Sequence, residues 1–260
     1  MGIVNVTPDS FSDGGLSLDP AIAIERAITL AAEGAAVIDV GGESSRPGAE
    51  SVSVQEELRR VLPVVEAVAS RKGVALSVDT TKPETARQAL AAGAHVINDI
   101  RALEEPGMLD VVAESDAGVV LMHMAGTPAT MQVNPTYVNV VEEVYDYLAR
   151  RLAAVVAAGI APPRVALDPG IGFGKTAAHN LALLKNLPRF ASLGCAVLVG
   201  TSRKRFLGSI TGKSTEGRLA ASLVSAVAAL QSGATIVRVH DVAATADAIR
   251  VWEAQHGWSE

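Results

Sequence analysis

The chain has one cysteine in 260 residues, few aromatics and no long apolar run. Each shortage excludes something. Cys195 cannot close an internal disulfide, so no disulfide framework holds the fold, and a reducing, cytoplasmic setting is expected. It sits in the apolar run 195–199 and reads as a small buried residue. Aromatics at 3% argue against an aromatic-rich β-sandwich and for helices packed on a sheet of Ala, Val, Leu and Ile. No apolar stretch reaches the roughly 18 residues of a membrane span. The N-terminus also lacks the charged-then-apolar order of a signal peptide, so no membrane partner is expected. A net charge of −6 would repel nucleic acid and anionic lipid, and an anionic substrate must therefore meet a local basic cluster. There is no His-x-x-x-His pair or Cys/His cluster, which removes a structural zinc.

What is present is 49% apolar residue in short, β-branched runs separated by helical patterns. Eight runs stand out, at 2–6, 36–40, 74–79, 95–100, 118–123, 164–168, 196–199 and 235–239. Their lack of polar alternation is that of strands buried on both faces. Between them the chain carries helix punctuation. Asp19-Pro20 opens the first helix and Gly34 stops it; Ser53 and Glu56 have capping-box spacing; Pro83 opens the third and Gly93 ends it. The fifth helix, between Thr136 and Gly159, is the longest, a small-residue helix spans 219–230, and Asp241 caps the last, which ends near Trp252. Eight consecutive strand–helix units in a chain of this length predict an α/β fold, a single (β/α)8 TIM barrel occupying 1–260 as one domain. Met1 already belongs to the first strand, so either the bottom of the barrel is unusually open or a few residues precede Met1.

In such a barrel the site lies at the carboxyl ends of the strands. All eight ends are polar: Asn5; Asp39 followed by Glu43 to Arg46; Asp79; Asn98 and Asp99; His123; Asp168; Ser202 to Lys204; Arg238 and His240. Any one of these fits a cap or an ion pair, but stability alone does not require charge at every mouth. Asp79, Asn98 and Asp168 could converge on a flat ligand rich in N–H groups. Arg46, Lys204, Arg238 and His240 form a basic set suited to an anion. His123 on an apolar strand reads as buried and hydrogen-bonded, and His95 as structural. The glycine-rich turn DPGIGFGK at 168–175 is either a ligand-approaching loop or a tight strand-to-helix turn. It is not a phosphate-binding P-loop, because three residues separate Gly170 from Gly174 where four are needed. Asn5 could hold only a labile, oxygen-ligated ion such as Mg²⁺ beside a phosphate.

Taken together, MGIVNVTPDSFSDGG at 1–15, GGESSRPG at 41–48, SVDT at 77–80, INDI at 97–100, MHM at 122–124, DPGIGFGK, SRK at 202–204 and RVH at 238–240 resemble the dihydropteroate synthases, pterin-binding transferases of folate biosynthesis. The resemblance implies condensation of hydroxymethyl-dihydropterin pyrophosphate with p-aminobenzoate, with release of pyrophosphate. It implies that Asp79, Asn98 and Asp168 hold the pterin, that Lys204 contacts its ring, and that Arg238 and His240 bind pyrophosphate with Mg²⁺ on Asn5. Ser45 and Arg46 match a loop closing over p-aminobenzoate, with Phe173 and Pro47 as apolar walls and Met122 among the substrate-binding residues. Asp79, Asp168, Lys204 and Arg238 are thereby the catalytic set. The resemblance also implies loop closure by residues 8–16 and 41–53, a homodimer, and a sulfonamide target. Two positions depart from the family pattern: Ser45 replaces threonine, and Arg205 replaces a serine that meets the aminobenzoate carboxylate. A pterin-binding methyltransferase domain should lack the first motif and the basic residues, and a catalytically silent binder should have lost Arg46, Lys204 or Arg238. All are present.

Overall fold

The structure, a computed structural model, describes residues 1–7, 19–46, 48–71 and 73–257. Eight strands form one sheet in sequence order: β1 Gly2–Asn5, β2 Val37–Gly41, β3 Ala75–Asp79, β4 Val96–Asp99, β5 Gly118–Met122, β6 Val165–Asp168, β7 Ala196–Val199 and β8 Ile236–Val237. Every neighbouring pair is parallel. The sheet curls back on itself through a parallel bridge between Gly2 and Val239, in which Ile3 N–H donates to Val239 O at 3.0 Å and Val239 N–H donates to Met1 O at 2.9 Å. All eight expected strands are found: β7 has the expected bounds, β2 is shifted one residue along the chain, and the others are shorter at one or both ends.

The helices follow the strands. After β1 comes α1 Pro20–Ala32, then α2 Val54–Ala69, α3 Pro83–Ala91, the short α4 Met108–Ala113 and the 18-residue α5 Val140–Ala157. Two pieces, α6 Ala177–Lys185 and α7 Leu187–Ala191, fill the next position. After β7 lie α8 Arg205–Thr211 and α9 Leu219–Gln231, and α10 Val242–Gln255 is the last described element. Asp19 caps α1 as expected, and Gly34 and Gly93 follow their helices with φ of 103° and 107°. Two caps differ from expectation. Ser53 Oγ accepts from Glu56 N–H, but the Glu56 carboxylate turns to Arg59 and Arg60 and does not close the box. Asp241 precedes α10 without a side-chain cap, because Arg203 holds its carboxylate at 2.9 Å. A guanidinium satisfies both carboxylate oxygens where a cap uses one.

Strand alternation divides the core in two. Val4, Ile38, Val40, Leu76, Val78, Ile97, Val119, Leu121, Leu167 and Val197 point outward into one continuous cluster with the helices. The opposite phase points inward, where Val120, Ala166 and Leu198 pack with Met1, Val96, Ala196 and Ile236 in a small plug. That plug floors the barrel, and the inward residues one step further along each strand are the ones left to form a site.

Candidate active site

Moving two residues along from the plug reaches Asp79 on β3, Asn98 on β4, Met122 on β5, Asp168 on β6 and, just past β8, Arg238. All five line a recess of about 50 Å³ together with Phe173, Lys204 and His240. Above it opens a cavity of about 700 Å³ that shares Asp79, Phe173, Lys204, Arg238 and His240 and adds Asn5, Ser45, Arg46 and Arg205. The recess is the floor of the larger space. Of the neighbours Asn98 and Asp99, parity admits only the first. Asp99 points outward, accepts from Arg101 N–H at 2.7 Å and Leu103 N–H at 2.9 Å, and serves the turn.

The floor is a charge network. Arg238 donates from Nε to Asp39 Oδ2 at 2.6 Å and from Nη2 to Asp79 Oδ2 at 2.9 Å, while Asn98 Nδ2 donates to the same Asp39 oxygen at 3.0 Å. The two chemical sets drawn from the sequence therefore interpenetrate, and the Arg238 charge is shared between two carboxylates. Burial raises the Asp79 carboxyl to about 7, with Arg238 opposing and Asp39 adding to the rise. His240 is held near 3 by burial and by Arg238, so it is an uncharged imidazole at neutral pH. Its Nδ1 lies 3.0 Å from Ser202 Oγ.

The glycine-rich turn forms one wall, and its backbone geometry is specific. Asp168 Oδ1 accepts from Gly170 N–H at 2.7 Å, and Gly170 has a φ of 69°. A Cβ there would fall 1.9 Å from His123 O, so only glycine fits. Lys204 donates to Ile171 O and lies 4.4 Å from the Phe173 ring centroid, a cation–π distance. Burial lowers the Lys204 ammonium to about 8, with Asp168 working against the shift. Beneath the turn Lys175 reaches His123 Nδ1 at 3.0 Å and Phe173 O at 2.9 Å. His123 is thus the buried, hydrogen-bonded histidine expected of it.

Ser45 and Arg46 lie on the β2–α2 loop at the rim of the larger cavity. Glu43 closes the base of that loop: its Oε2 accepts from Val52 N–H at 3.2 Å and from Lys82 Nζ, and Lys82 also reaches the buried Glu57 at 3.1 Å. Arg205 is the exposed first residue of α8. Pro47 and the 8–16 loop lie outside the described residues. Sequence reasoning named Asp39 and Ser202 only as polar strand ends, and gave no role to Lys175 or to Gln132, whose Nε2 donates to Gly172 O at 2.7 Å. Inward parity two residues before Gly41 was a usable signal for Asp39. Gln132 had none, because it comes from the irregular segment between β5 and α5.

A family profile described as pterin binding enzyme matches residues 1–240. The chain is 52% identical over 254 residues to the dihydropteroate synthase of Escherichia coli, covering 98% of this chain and 90% of that one. A Xanthomonas albilineans dihydropteroate synthase solved with 4-aminobenzoic acid is 52% identical with a TM-score of 0.93, covering 99% of this chain and 92% of that one. The same bacterium's enzyme in complex with 7,8-dihydropteroate is 46% identical with a TM-score of 0.86 over the same shares. The Yersinia pestis enzyme with a sulfonamide drug complex has a TM-score of 0.95 at 47% identity, covering 98% of this chain and 93% of that one.

Proposed function

Starting from the chain's membership of the pterin-binding enzymes as a dihydropteroate synthase, which condenses a pterin pyrophosphate with p-aminobenzoate in folate synthesis, we propose how its residues divide that reaction. The observation that carries the division is the convergence of Asp79, Asn98, Asp168 and Lys204 on one recess beneath a wider cavity. The pterin ring occupies the recess, where Asp79, Asn98 and Asp168 accept its N–H groups and Lys204 donates to a ring acceptor. The pyrophosphate tail points up toward Arg46 and His240. As the methylene–oxygen bond breaks, the cation left on the pterin is delocalised into the ring and faces the carboxyl groups of Asp79 and Asp168, which stabilise it in their ionised form. The arylamine of p-aminobenzoate attacks from the larger cavity, and the ammonium formed gives up its extra proton to water at the open side. It needs no strong base, in keeping with a His240 that stays neutral until an anion arrives. An approaching pyrophosphate raises the His240 pKa and recruits it as a donor.

Mg²⁺ fits this arrangement only as a partner of the leaving group. Among the described residues no three His, Cys, Asp or Glu side chains are grouped to hold a metal. Asn5 Oδ1 and the Asp79 side chain both lie within 4 Å of where a Cβ on Gly41 would stand, so the absence of that Cβ keeps a cleft beside one hard oxygen donor. Mg²⁺ binds readily to one protein oxygen plus phosphate oxygens and water, and bound there it would neutralise charge on the departing pyrophosphate.

Incubating the protein with Mg²⁺, the pterin pyrophosphate and p-aminobenzoate should yield dihydropteroate and pyrophosphate in equal amounts; folded protein that forms neither would overturn the reading. Arg205 is proposed to meet the aminobenzoate carboxylate from the rim. Arg205→Ala should raise the KM for p-aminobenzoate about fivefold, the ~1 kcal/mol expected of a solvent-exposed charged contact. An unchanged KM removes the side chain from that position. Sulfonamides are proposed to compete for the same position. A homodimer and a cytoplasmic setting are proposed from the family likeness and the single free Cys195; no helix among the described residues is long and apolar enough to cross a membrane.

A further inference from the structure

Asp39 lines neither cavity and is fully buried on β2, one layer below the residues that face substrate. Its Oδ2 takes Arg238 from one side and Asn98 from the other, while its Oδ1 is buried with no hydrogen-bond partner among the described residues. A half-satisfied carboxylate at the barrel plug is costly, and an apolar strand residue would serve packing better. What Asp39 does for its neighbours accounts for its presence.

We propose that Asp39 is the positioning residue of this site: it holds the Arg238 guanidinium beneath the recess and fixes the orientation of the Asn98 amide. The proposal rests on the placement of the pterin ring given above. With Nδ2 spent on Asp39, Asn98 presents its Oδ1 to the recess and becomes an acceptor, which is what a ring N–H requires. With Nε on Asp39 and Nη2 on Asp79, the guanidinium is drawn back from the space the ring enters. Two carboxyl groups sharing one guanidinium place acceptor oxygens next to the ring, which suits a developing cation.

Asp39→Asn tests this. An asparagine can donate to Asn98 Oδ1 and turn that amide round, so kcat/KM for the pterin substrate should fall about a hundredfold, as a misplaced contact group can cause. The KM for p-aminobenzoate should move far less. Asp79 is faced by Arg238 from beside β8, Asp39 from β2, Glu57 from α2, Asp99 from β4 and Lys204 ahead of α8. Only Asp39 loses charge in the variant, so the acid limb of the pH profile should move to lower pH. If both substrates' parameters fall together and the acid limb stays in place, Asp39 is merely structural and the proposal is wrong. A second arm needs no activity. Arg238→Met leaves Asp39 and Asp79 facing each other without the guanidinium between them and should lower the melting temperature; adding Asp39→Asn should raise it again. A double variant that melts below the single one overturns the proposal. Wild-type turnover tests the function, so failure of that reading and failure of this one are separable.

Discussion

Lys204→Ala is expected to cut kcat/KM for the pterin substrate by about a thousandfold, ~4 kcal/mol of transition-state stabilisation. Three losses combine. The charged donor proposed for the ring goes, a contact worth ~1.5–3 kcal/mol by itself. Asp168 then loses the cation that most opposes its burial-driven rise in pKa, so fewer molecules carry it ionised at neutral pH. Last, Ile171 O loses its donor and the Phe173 ring loses the ammonium at 4.4 Å, so the wall formed by the glycine turn is no longer held. Lys204→Met keeps the stem and removes the charge, and should be nearly as damaging. Lys204→Arg should not rescue, because Gly172 approaches so closely that even a Cβ there would lie 2.9 Å from Lys204 Cδ. Steady-state kinetics at saturating p-aminobenzoate decide the matter; a loss under tenfold would place Lys204 outside the ring site. The pH profile carries the same signature. The ammonium donates fully only below its folded pKa of about 8, so a basic limb near that pH should be present in wild type and absent from Lys204→Met.

The barrel was legible because β-branched runs recur at every unit and helix punctuation agrees with them at several, from Asp19-Pro20 to the glycines behind α1 and α3. The candidate site was legible to the extent that polar strand tips can be listed in one dimension. What a list cannot supply is phase. Asn98 and Asp99 are equivalent as letters, yet one faces the recess and the other a backbone turn, because alternate strand residues point to opposite faces. Asp39 was named as a strand tip but given no role for the same reason, since a list of tips does not show that it faces inward one layer deeper than the others. Nor does sequence show that opposite charges cancel. Arg238 read as an anion binder, and its ion pairs with Asp39 and Asp79, distant in sequence, could not be read there. Long-range partners such as Lys175 with His123 depend on how the β5 and β6 ends meet, for which no local pattern exists.

That last pair supplies the largest expected effect on stability. Lys175→Met should destabilise the fold by ~3 kcal/mol, because three acceptors, His123 Nδ1, His123 O and Phe173 O, lose their donor in the interior. At roughly 2–4 °C per kcal/mol for a chain near this size, the melting temperature should drop by ~6–12 °C. The pH dependence separates this from a simple packing defect. Burial lowers the Lys175 ammonium to about 7, with Asp168 opposing, whereas an unfolded lysine titrates near ~10.4. Between those values the unfolded chain binds more protons than the folded one, so this group adds stability as pH rises from about 7 toward 10.4. The variant lacks that slope, while Lys204, also shifted down, is present in both proteins. The wild-type advantage should therefore be smallest at pH 7 and wider at pH 9. His123 does not blur the comparison, because burial and the Lys175 charge hold it near 3, neutral across the range. Loss of the Lys175 charge in the variant moves that histidine upward, still limited by its burial. A gap in melting temperature that narrows with rising pH would mean that Lys175 is stabilised as a cation, and the three acceptors would then have to be holding charge and not only geometry.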